Sequence, residues 1–159
     1  MTSSRRGRAS FGWLLAAWLL CGSSAWAALG QPQSSIEHER AQLHARSTVS
    51  VRAQYTVHAT QLQDGSRIRQ YVGADGTVFA VHWAALHKPD LSSLLGASYP
   101  RYASALQDAG KRSPILRNFH HSSLDLEVQA SGHLHVFTGY AYHPSKLPAG
   151  FDLASLGQE

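Results

Sequence analysis

Ten histidines stand in this chain of 159 residues, and all of them lie after residue 27. Imidazole is a common metal ligand and changes charge near neutral pH, so its neighbours decide what it can do. His133 and His135 are two apart, which on a strand turns both rings to one face. Glu127 is expected to face His135 across a hairpin, and the three would make a zinc or copper site. A second set, His58, Arg69, Tyr71 and His82, is expected on the polar face of a sheet, with His58 opposite Tyr71 and Arg69 opposite His82. That cluster could hold a small anion or a partner, or perform acid–base work. His120 and His121 are adjacent and would point apart in extended chain. The chain has no G-x-S-x-G and no G-x-x-x-x-G-K, and its few carboxylates are scattered. A wet sheet face explains both sets more simply than a reaction does. The reading therefore favours binding over catalysis and expects no cofactor, with Zn or Cu as the alternative.

The elements that must position these residues centre on Tyr55 to Trp83. Asp64-Gly65 and Asp75-Gly76 separate runs rich in Val, Ile, Thr and aromatic residues. Asp-Gly between such runs signals a hairpin with a two-residue turn, because Gly accepts positive φ. The turns predict a three-stranded antiparallel meander pairing Ile68 with Gln61, Val72 with Val57, Phe79 with Val72, Val81 with Gln70 and Trp83 with Ile68. One face then holds Tyr55, Val57, Ala59, Ile68, Val72, Phe79, Val81 and Trp83; the other holds His58, Thr60, Arg67, Arg69, Tyr71 and His82. A slip of one residue would scatter the apolar set.

Around the meander, Leu29 to Gln33 reads as a flexible lead-in. Ser34 and Glu37 fit a capping box for a helix to about Ala45. Asp90 is an N-cap for a helix beginning at Leu91, weakened or ended by Gly96. Pro100 suits the first turn of a second helical segment, Arg101 to about Asp108, closed by Gly110. Leu91, Leu94, Leu95, Tyr99, Tyr102 and Leu106 would cover the apolar face of the meander. Lys111 to His121 reads as a connector, with Ile115-Leu116 a possible edge strand. A later hairpin uses Leu124, Leu126 and Val128, then Leu134 and Val136. A loop at Ala130-Ser131-Gly132 would set Glu127 opposite His135 and Gln129 opposite His133. From about His143 the chain reads as an extended, partly docked tail. Whether meander and hairpin share one sheet is left open.

Residues 1–27 read as a cleaved signal peptide. Arg5, Arg6 and Arg8 precede the apolar run Phe11 to Leu20, and Ala25-Trp26-Ala27 places small residues before a cleavage site, making Ala28 the first mature residue. The run is short for a membrane span. Cys21, the only cysteine, would leave with the leader; bulky Trp18-Leu19-Leu20 before it argues against lipid attachment. Ser4-Arg5-Arg6 hints at twin-arginine export. The net charge of +4 falls to +1 once the leader arginines go, since 11 Lys+Arg then face 10 Asp+Glu. That balance is no evidence for nucleic-acid binding, which needs a clustered basic footprint, and no nucleic-acid partner is expected.

The run YTVHATQLQDGSRIRQYVGADGTVFAVHW, then PDLSSLLG, then GHLHVFTGYAYHPSKLPAGF, resembles a family of small exported proteobacterial proteins classed only as a domain of unknown function. The resemblance implies export and a single domain across nearly all of the mature chain, and carries no catalytic residues. The expected protein is thus a leader over 1–27 and one α+β domain over 28–159. Its antiparallel sheet is a three-stranded meander plus a later hairpin, covered on one face by short helices. The favoured function is a non-enzymatic, periplasmic or secreted binding domain acting on an envelope protein or small anionic ligand. A histidine-based metal protein and a small enzyme using His/Tyr/Arg acid–base chemistry are the alternatives.

Overall fold

A computed structural model describes residues 28–36, 45–112 and 118–157. Seven strands form one antiparallel sheet: β1 (Arg46–Val51), β2 (Tyr55–Gln61), β3 (Arg67–Gly73), β4 (Val78–Ala85), β5 (Asn118–Ser122), β6 (Glu127–His133) and β7 (Val136–Tyr142), in the order β1-β2-β3-β4-β7-β6-β5. The meander and the later hairpin thus share one sheet, joined where β4 pairs with β7. Between β4 and β5 lie α1 (Leu91–Leu95), a 3-10 turn (Gly96–Ser98) and α2 (Tyr99–Arg112). The chain is mostly β, so the α+β expectation holds only in part.

Both Asp-Gly pairs do make the turns, but as three-residue loops. The Gly65 amide bonds to the Leu62 carbonyl, Leu62 donates to the Ser66 carbonyl, and Gly65 takes φ +85°. The Asp64 carboxylate accepts from the Ser66 amide and hydroxyl, which braces the loop from inside. Asp75 does the same for the Thr77 amide, and Gly76 takes φ +74°. A type I turn closed by a left-handed glycine uses the same residues as a two-residue turn, with one more residue in the loop.

That one residue changes the faces. His58 pairs with Gln70 and Val57 with Tyr71, not His58 with Tyr71. In the second hairpin a bulge between Tyr71 and Val72 absorbs the extra residue, so Ile68↔Trp83, Arg69↔His82 and Gln70↔Val81 pair as expected. Ile68, Val72, Val81 and Trp83 accordingly share a core with Leu94, Leu95 and Tyr102 of the helices. Phe79 is turned to the opposite face, where it packs with Tyr71, Ala80 and Leu156. Tyr55 and Val57 join it there. The expected single apolar face is therefore divided between two cores.

Asp90 caps α1, accepting from the Ser92 and Ser93 amides, and Gly96 ends it. The second helix runs longer than expected, through Gly110 to Arg112. The lead-in is docked: Leu29 is 1% exposed and Ile36 2%. Ser34 begins a helical turn, but residues 37–44, and with them Glu37, lie outside the described residues, as do residues 1–27 and Ile115-Leu116. His120 and His121 belong to β5, not to a connector. The later hairpin also pairs differently: Glu127↔Tyr142 and His133↔Val136 place its tip at Leu134-His135, where Leu134 takes φ 55°. Ala130-Ser131-Gly132 is strand; a Cβ on Gly132 would come within 3.1 Å of the Phe137 ring. Leu126 and Val128 are buried, whereas Leu124 is 91% exposed in the preceding turn. The tail winds through two 3-10 turns, Pro144–Lys146 and Leu153–Gly157, and lays Leu147, Phe151 and Leu156 on the back of the sheet.

Candidate functional site

Register alone assembles the site. Side chains paired across neighbouring strands share a face, so Arg69, His82, Tyr140, Gln129 and His120 form one continuous row over β3-β4-β7-β6-β5. A parallel row holds Arg67, Ala84, Thr138, Ser131 and Asn118. Between the rows lies a recess of about 280 Å³ lined by His82, Ala84, Gln129, Ser131, Thr138, Gly139 and Tyr140. Gly139 is required at its floor. The Trp83 indole presses on it from the core side, and a Cβ there would lie 2.4 Å from Trp83 Cζ2 and from the Gln129 carbonyl oxygen. Gly139 thus makes room for the indole beneath the recess, while the small side chain of Ala84 leaves room on the open face.

The polar groups around the recess are ordered. Tyr140 donates its hydroxyl proton to Gln129 Oε1 at 2.8 Å, and Ser131 donates to Asn118 Oδ1 at 2.8 Å. Tyr140 and Tyr142 stack with centroids 6.2 Å apart. His82 is only 8% exposed. Burial first, and the Arg69 guanidinium second, lower its pKa to about 4. Near neutral pH it is a neutral ring that can accept one hydrogen bond and donate one. At the far edge, His120 Nε2 donates to Glu127 Oε1 at 2.5 Å. Burial alone would raise the Glu127 pKa. It is outweighed by hydrogen bonds from Ser122 and His120 and by the charges of His120 and His121, which hold the carboxyl below its usual value.

The four residues expected on the polar face do not stay together. Arg69 and His82 lie side by side in the row. Tyr71 shares their face but is 4% exposed, sealed with Tyr55, Phe79 and Phe151 beneath the tail. His58 is on the other face, 3% exposed, because the three-residue loop moved it one position along β3. The expected metal set is separated as well. Glu127 pairs with Ser122 and Tyr142, whereas His133 stands near the tip beside Val136 and His135 lies in the turn. Among the described residues no group of three His, Cys, Asp or Glu side chains could hold a metal ion. Gln129, Thr138 and Tyr140 were not expected at a site. Their signal was the alternation of Thr138, Tyr140 and Tyr142 with Phe137, Gly139 and Ala141, which marks a strand with one polar and one packed face. A smaller slot of about 90 Å³ lies against Ile68, Trp83 and Leu94 under the β2–β3 loop and is mainly apolar.

Fold and site define a small, mostly β domain with a polar recess in the middle of one sheet face. The chain belongs to the family described as Protein of unknown function (DUF2844), whose model matches residues 25–156. Neither a curated protein nor a solved structure matches it. No helix among the described residues is long and apolar enough to cross a membrane.

Proposed function

We propose that the protein is exported and acts as a non-enzymatic binding domain of the periplasm or cell envelope, holding a small anionic ligand in the recess beside His82. The observation that carries this reading is the composition of the recess wall. Neutral hydrogen-bonding groups from β4, β6 and β7 converge there, next to Arg69 on β3, and no carboxylate is among the lining residues. Arg46, Arg67 and Arg69 fall on this face by register, against Glu127, which His120 holds at the far edge, so the local potential favours an anion. A carboxylate or phosphate oxygen could accept from the Thr138 hydroxyl, the Gln129 side-chain amide N–H and the His82 ring N–H, while Tyr140 and Ser131 keep their bonds to Gln129 and Asn118. The wall is built on paired strands rather than loops, which suits a preorganised site. Export is supported by the basic start, the apolar run and the Ala25-Trp26-Ala27 sequence.

The test uses protein recovered from the exported fraction of cells expressing the full chain. Its amide spectrum is titrated with sodium phosphate and, separately, sodium acetate, against sodium chloride at equal ionic strength. Saturating shifts at His82, Gln129, Thr138 and Tyr140, with a rise in the His82 pKa above about 4, support the reading. Shifts that chloride reproduces would sink it.

A further inference from the structure

The two edges of the sheet differ. β5 carries α2 on one face, with the Tyr102 and Phe119 rings 5.3 Å apart. β1 is exposed from Thr48 to Val51 on both faces, with Val49 and Val51 49% and 76% exposed. Among the described residues no strand pairs with its outer side. The hairpin to β2 decides which groups that side presents. The Arg52 amide donates to the Tyr55 carbonyl at 2.8 Å, so these two form a hydrogen-bonded pair. Antiparallel pairs alternate, and Val51↔Thr56, Val49↔His58 and Ser47↔Thr60 are therefore pairs that do not bond each other. The N–H and C=O groups of Ser47, Val49 and Val51 point away from β2, as an outward row of donors and acceptors.

Natural sheets blunt such an edge with proline, lysine or a bulge. Between Ser47 and Val51 β1 has none of these. Its charges stand at the two ends instead. Arg46 and Arg52 are in phase along the strand, about 20 Å apart at the rise of an extended chain. Arg67 and Arg69 share their face two strands inward. Residues 45–61 contain no carboxylate. In the flanking loops Asp64 is held by Ser66 and His87, and Asp75 by Thr77. A second copy paired about Val49 would set Arg46 against Arg52 at both ends, and like charges directly opposite are destabilising. The arginines thus guard the edge against its own copies and suit it to a strand of opposite charge. We propose that the outer edge of β1 is a docking site for an extended, acidic segment of another protein, which adds a strand to the sheet. Main-chain groups of the segment pair with Ser47, Val49 and Val51, its carboxylates meet Arg46 and Arg52, and small apolar side chains lie beside Val49 and Val51. This edge is separate from the recess beside His82 and stands whether or not the recess binds an anion.

The experiment titrates protein recovered from cells expressing the full chain with a synthetic strand peptide, glutamate at both ends and alternating valine and threonine between. Amide shifts and hydrogen exchange are the readouts. The expected result is saturable binding that slows exchange at the Ser47, Val49 and Val51 amides and weakens as salt rises. The Arg46→Glu, Arg52→Glu double variant should bind this peptide about tenfold or more weakly and take a lysine-ended peptide instead, which also shows that the variant is folded. Methylating the peptide nitrogens that face β1 should likewise weaken binding about tenfold or more, because it removes the donors of the ladder. Equal binding of methylated and unmethylated peptides would mean attraction without strand pairing and would overturn the docking site. Glutamate- and lysine-ended peptides bound alike, or no saturable binding, would overturn it as well. So would protection of the same amides that rises with protein concentration in the absence of peptide, the mark of a second copy on the edge.

Discussion

At one end of the back face, the Tyr55, Tyr71 and Phe79 rings gather around Phe151, with centroids 5.0, 5.8 and 5.1 Å from it. A few strand spacings away, Arg69, Tyr140 and Gln129 stand on the same face with water access. Strand pairing is continuous from one region to the other, so backbone geometry does not separate them. What separates them is the segment after His143, which lays Leu147, Phe151 and Leu156 over the first region; that packing reaches Tyr142 and Tyr140, so Tyr140 stands at the boundary between the two. Residue composition agrees: aromatic and aliphatic under the tail, hydrogen-bonding in the open. One sheet face thus serves as second core and as candidate site, and a short tail draws the line between them.

The sharpest way to break this comparison is Phe79→Ala. Phe79 is 1% exposed, and large-to-small changes of this kind cost about 3–5 kcal/mol. Denaturant unfolding should show that loss; a change near zero would mean the tail does not make a real core. Phe151→Ala removes the tail's own contribution and should cost less, about 2 kcal/mol, because the ring is only partly buried. It should also raise amide exchange at Tyr71 and Ala80 while leaving Gln129 unchanged.

The next effect is smaller and depends on pH. The folded pKa of His82 is about 4, below its ordinary 6.5. Between those values the unfolded chain binds the proton more readily. The neutral buried ring therefore contributes stability that is fully present above about pH 6.5 and is lost as pH falls towards 4. Discounted for partial solvent screening, that loss is about 1–2 kcal/mol. His82→Gln should flatten this part of the stability profile; an unchanged slope would refute the burial argument. Gln129→Ala should change stability least, by about 0.5 kcal/mol or less, since its bond to Tyr140 is at the surface. If Gln129→Ala cost as much as Phe151→Ala, the open region would be a core in its own right.

Much of the local structure was legible from residue types. The Asp-Gly pairs marked both meander loops, Asp90 and Gly96 marked the limits of α1, and the alternation around Leu126 and Val128 marked β6. The Arg69–His82 pair was legible too. The site as a whole was not. Asp64-Gly65 suits a two-residue and a three-residue loop about equally, and the choice reverses which of His58 and Val57 faces the helices. A bulge at Phe79 reverses one side chain without changing any sequence pattern. Ala130-Ser131-Gly132 looks like a loop until Phe137 is placed against Gly132.

What the sequence by itself determined is therefore where chain direction reverses, where helices start and which segments are extended. These depend on φ preferences and on short-range hydrogen bonds such as those of Asp64, Asp75 and Asp90. Which face each strand presents, and which part of that face stays open, only the tertiary structure decided. Alternation fixes side-chain direction up to a one-residue slip, and the slip is resolved by partners far along the chain: α1 and α2 on one side, Phe151 and Leu156 on the other.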